Sequence, residues 1–77
     1  MTTLIIESFV NGTKDTDFSI SSDELMEIEK KAGAKVSSIK VYASTTNMSL
    51  KVMVNNKVAS SALKATIEDI ILLAYEQ

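Results

Sequence analysis

Two runs of alternating residues decide most of what this chain can become. Ile39, Val41 and Ala43 alternate with Lys40 and Tyr42. After the polar segment Ser44-Thr45-Thr46-Asn47 the pattern resumes, with Met48, Leu50, Val52 and Val54 set against Ser49, Lys51 and Met53. Side chains of a strand point alternately to opposite faces, so this period predicts two strands, over 35–43 and 48–54, sharing one apolar face. A sheet with one buried face needs a second layer to cover it.

The flanking segments supply that layer. Ser21-Ser22-Asp23-Glu24 has the form of a capping box, with acids in the first turn where the helix dipole favours them. Leu25, Ile28 and Ala32 then form a narrow stripe, Glu27 and Lys31 stand as an i,i+4 pair, and Gly33 follows where a left-handed residue ends a helix. A helix is expected over 22–32. A second is expected over 61–77, capped by Ser60 or Ser61. Its stripe is Leu63, Ile67, Ile70, Ile71 and Ala74, with Lys64, Glu68, Asp69 and Glu76 away from it.

At the start, residues 3–10 alternate weakly, with Leu4, Ile6 and Val10 on one side and Ile5, Glu7 and Phe9 on the other. Asn11-Gly12 is a hairpin signal, and a loop extending through Asp15 is expected before a short strand over 17–20. Asn55-Asn56 suits a tight turn with positive φ, predicting a further short strand over 57–59. The order is β-β-α-β-β-(β)-α. It predicts an α+β two-layer sandwich: a mostly antiparallel sheet of four to five strands with two helices on one face, forming a single domain over 1–77.

With 77 residues and no Cys, such a domain buries only about 60–65% of its unfolded surface and holds together by packing alone, so self-association is an expected source of support. No apolar run approaches the length of a membrane span, and the start of the chain lacks the basic and long apolar regions of a signal peptide. A cytoplasmic protein is expected, with no membrane role. Lys without any Arg suits the coding bias of low-GC bacteria and their phages.

His is absent along with Arg, which removes the commonest general base, the commonest metal ligand and the bidentate phosphate fork. The carboxylates Asp15, Asp17, Asp23 and Glu24 lack the spacing of a cation-binding loop, since Asp15-x-Asp17 runs into Phe18 and Ile20. Ser61-Ala62-Leu63-Lys64 matches a Ser-x-x-Lys pattern without its companion motifs and fits a helix start. Lys31-Ala32-Gly33-Ala34-Lys35 lacks the glycines of a phosphate loop. No enzyme activity, cofactor, metal or small-molecule substrate is expected.

Charge is distributed in blocks. Residues 1–29 hold seven acids and one Lys, residues 30–67 seven Lys and no acid, and residues 68–77 three acids, so part of the surface is basic although the net charge is −2. Lys40 and Lys51, joined by Lys35 and Lys57 and with Tyr42 between them, form a candidate nucleic-acid patch. On the plainer reading these lysines keep the sheet soluble and pair with acids of the first hairpin.

Apolar residues also stand where the alternation calls for polar ones. Ile5, Phe9, Tyr42 and Met53 point away from the helix side, and Leu72 and Tyr75 fall off the stripe of the last helix. The leading expectation is therefore a small binding or regulatory protein, an adaptor or inhibitor, that engages a protein partner or a second copy of itself. Ile5, Phe9, Tyr42 and Met53 would form the apolar centre of the contact and Lys40 and Lys51 its polar rim. The alternative is a nucleic-acid-binding domain using the Lys-rich 30–67 block.

Overall fold

Hairpin turns punctuate the chain where positive φ is cheapest. In the computed structural model, which describes residues 4–76, strand β1 (Leu4–Val10) turns through Asn11 and Gly12, at φ 51° and 81°, directly into β2 (Thr13–Ile20). Asn and Gly tolerate the left-handed region that a two-residue hairpin turn demands of both central positions. The loop is thus two residues long and shorter than expected, because Thr13 already pairs with Val10. Thr3 and Gln77, expected as the outer ends of the first strand and last helix, lie outside the described residues, as do the side chains of Tyr75 and Glu76.

Helix α1 (Ser22–Ala32) begins and ends as its residues dictate. The Ser21 hydroxyl accepts from the Glu24 N–H, the Glu24 carboxylate accepts from the Ser21 N–H, and Gly33 at φ 69° donates its N–H to the Glu29 carbonyl. Glu27 and Lys31, one turn apart, form no ion pair. Residues 35–38 are a loop and not the start of a strand, because the Asn55 side chain takes their backbone groups out of reach of a ladder. Its Oδ1 accepts from the N–H of Ser37 at 2.7 Å and of Ser38 at 3.3 Å, and its Nδ2 donates to the Lys35 carbonyl at 2.8 Å.

Strands β3 (Ile39–Ser44) and β4 (Ser49–Val54) form the expected hairpin. Met48, expected inside β4, instead closes the turn at φ 54° and is 86% exposed, since Ser44 pairs with Ser49. Asn55 and Asn56, at φ 52° and 64°, turn the chain into β5 (Lys57–Val58). Helix α2 (Ser61–Glu76) follows, with the Ser60 hydroxyl accepting from the Leu63 N–H. No helix among the described residues is long and apolar enough to cross a membrane.

The five strands lie in the order β2-β1-β3-β4-β5. Three of the four pairings are antiparallel, but β1 and β3 run parallel, so the sheet is mixed. A parallel neighbour requires a crossover connection. The chain supplies one by leaving β2, passing through α1 and returning as β3 on the far side of β1.

Ile6, Ile20, Ile39, Val41, Val52 and Val54, all of one strand parity, pack with Ile28 of α1 and with Leu63 and Ile67 of α2 in a single buried cluster. Both helices therefore cover the same sheet face. Each such side chain contributes about 1.5–3 kcal/mol of burial free energy. Ala74, expected on the α2 stripe, is exposed.

Candidate protein interface on the open sheet face

Residues of the opposite parity form the face that no helix covers. The pairings set them in rows across the sheet. Asp17, Glu7, Lys40, Met53 and Val58 make one row, and Lys14, Phe9, Tyr42 and Lys51 make the next. Ile5 stands on the same face of β1, opposite Ser19, and is 51% exposed. All six residues expected to form a contact surface, Ile5, Phe9, Lys40, Tyr42, Lys51 and Met53, thus lie on one face.

At the centre, the Phe9 and Tyr42 rings stack with centroids 5.0 Å apart and planes 15° from parallel. The Lys14 ammonium lies 5.9 Å from the Phe9 centroid, at the outer range of a cation–π contact. It also donates to Glu7 at 2.9 Å and lies 3.3 Å from Asp17. That hydrogen bond, and then the charge of Lys14, hold the Glu7 carboxyl below its ordinary value, and Lys40 on the neighbouring strand adds a smaller pull in the same direction. The hydrogen bond to Glu7 in turn raises the Lys14 ammonium above its ordinary value.

No known protein family, curated protein or solved structure matches this chain.

The Lys-rich block does not gather on this face. Lys40 and Lys51 belong to it, but Lys57 pairs with Val54 and so takes the helix-side parity, and Lys35 sits in the loop after α1 beside Glu27 and Glu29. A block that is contiguous in sequence is divided because strand parity and turns send successive lysines to different surfaces.

Two members of the face escaped the pattern. Val58, 67% exposed, pairs with Met53 and extends the apolar patch, a position readable once Asn55-Asn56 is taken as a two-residue turn. Lys14 was hidden inside the expected loop. Among the described residues, no three His, Cys, Asp or Glu side chains gather as metal ligands. What the face offers chemically is a set of apolar side chains, Ile5, Phe9, Tyr42, Met53 and Val58, interspersed with the acids Glu7 and Asp17 and the lysines Lys14, Lys40 and Lys51.

Proposed function

We propose that this chain is a small non-enzymatic binding protein, an adaptor or inhibitor, that engages a protein partner or a second copy of itself through the open sheet face. The observation that carries this reading is the stacked Phe9–Tyr42 pair at the centre of a set of partly exposed apolar side chains, interspersed with charged residues. Contact surfaces combine aromatic anchors with polar groups in this way. Glu7 and Asp17, which share Lys14, lie on β1 and β2, and Lys40 and Lys51 lie on β3 and β4; the residual separation of charge suits a second copy related by a two-fold axis along the strands. That operation sets β1 of one copy over β3 of the other.

A nucleic-acid role for the 30–67 block draws less support. Its lysines occupy several surfaces, and the Phe9 ring has Tyr42 on one side and Lys14 near it, which leaves little free aromatic face for a base to stack on. The absence of Cys suits a reducing cytoplasm, and Lys without Arg suits a bacterial or phage origin.

The test is mass in solution by light scattering at two protein concentrations, for the native chain and for a Tyr42→Ala/Met53→Asp double variant. Where the native chain is monomeric, the same pair is used in a pull-down. Loss of the dimer or of a captured partner in the folded double variant is expected. An unchanged mass and an unchanged set of partners would sink the proposal, and affinity for single-stranded DNA that falls steeply with salt would favour the nucleic-acid reading.

A further inference from the structure

The helix side of the sheet carries a second feature, on the face opposite Phe9 and Tyr42. Over most of the inner face the side chains are Ile and Val. Where the second half of α2 passes over the sheet they shorten to Ser8 on β1 and Ala43 on β3. The space left between them and Ile71 and Leu72 of α2 is a groove of about 390 Å³, within the size range of small-molecule sites. Its walls are otherwise Val10, Phe18, Val41 and Leu50, and Leu72 at its edge is 58% exposed.

Two independent observations say what would fill it. The first is Ser8, the one buried polar side chain among the described residues, 8% exposed. Its hydroxyl makes no hydrogen bond within the protein and keeps contact with solvent where it opens on the groove. A hydroxyl so placed is free to hydrogen-bond a polar atom of whatever occupies the groove.

The second is charge. Asp15, Glu68 and Asp69 line the groove, none of them in an ion pair, and no lysine lines it. Asp15 arrives there through a β-bulge. Glu7 pairs with Asp17 and Phe9 with Lys14, so Asp15 and Thr16 together oppose Ser8, and the extra residue sends Asp15 and Asp17 to opposite faces. The carboxylates are too dispersed to serve as a metal cage. An apolar slot edged by unpaired carboxylates complements an organic cation.

We propose that this groove binds a small amphiphilic amine. Its alkyl or aryl body lies between Ala43 and Ile71, its ammonium group among Asp15, Glu68 and Asp69, and one of its polar atoms reaches the Ser8 hydroxyl.

The experiment is a two-dimensional amide NMR titration of the full chain with decylamine, decan-1-ol and decanoate, each below its micelle concentration. Decylamine is expected to shift the amides of Ser8, Ala43, Leu50 and Ile71 to saturation. Decanol should bind more weakly and decanoate not at all. Glu68→Gln/Asp69→Asn should weaken decylamine by about fivefold, the scale of a partly exposed ion pair. Ala43→Leu, which fills the slot, should abolish binding. Leu72→Lys alters only an exposed wall residue, so it keeps the test decisive if Ala43→Leu fails to fold, and it should also abolish binding by placing a competing cation at the rim. Equal binding of the three ligands, shifts centred on Ile5 and Met53 of the open face, or undiminished binding by Leu72→Lys would each overturn the proposal.

Discussion

Phe9 and Tyr42 stack at 5.0 Å across the one parallel strand pair of the sheet, joining β1 to β3 on the face that no helix covers. Aromatic pairs of this geometry contribute about 0.5–1.5 kcal/mol beyond their buried area. Tyr42→Ala and Phe9→Ala are each expected to lower stability, and a double-mutant cycle by urea denaturation should return a coupling of about 1 kcal/mol. Additive effects would mean that the stack contributes nothing of its own.

The Lys14–Glu7 pair predicts a specific pH dependence. The Glu7 carboxyl is held down in the folded protein, so its contribution is present above the ordinary value of 4.5 and lost as pH falls through the lower folded value. The Lys14 ammonium is raised, so its contribution is complete below the ordinary 10.5 and lost as pH rises through the higher folded value. The difference in urea midpoint between the native chain and Lys14→Gln should therefore be flat near neutrality and shrink at both extremes. A difference that persists in acid would show that Lys14 acts through packing on Phe9.

Asn55 combines a left-handed backbone with a side chain that holds the loop before β3 through Lys35, Ser37 and Ser38. Asn55→Gly keeps the φ and loses the hydrogen bonds, whereas Asn55→Ala loses both. Asn55→Gly is expected to cost about 1–3 kcal/mol for the lost bonds. Asn55→Ala should cost about 1 kcal/mol more for the strained backbone. Thermal unfolding of the two variants separates these contributions.

Ile39 and Ile5 test the assignment of faces directly. Ile39 is fully buried against the helices and Ile5 is half exposed on the open face. Ile39→Ala should cost about 2–5 kcal/mol, a large part of the stability of so small a domain. Ile5→Ala should cost well under half as much in dilute solution, and its larger effect should fall on association. Comparable losses of stability would place both residues in one core.

Much of this architecture was legible in local chemistry. The capping box at Ser21 and Glu24, the left-handed end at Gly33 and the Asn55-Asn56 turn each depend on a few adjacent residues and stand as expected. Alternation over 39–54 assigned Tyr42, Lys51 and Met53 to one face and Ile39, Val41 and Val52 to the other, because strand parity needs no knowledge of distant neighbours. Where local patterns ran past their true ends, at Lys35 and Met48, the limit was set by a pairing or hydrogen bond made elsewhere in the chain.

By itself, then, the sequence determined the elements, their order and the parity of the residues on most of the strands, since propensity, capping and period act over a few residues. Tertiary structure alone decided that β3 lies parallel to β1. Phe9 thereby meets Tyr42, and Glu7 stands beside Lys40. It also decided the bulge opposite Ser8, which parts Asp15 from Asp17 and brings Asp15 to the groove beneath α2. Strand order and register are settled by which apolar faces bury best together, and that is a property of the whole packed chain.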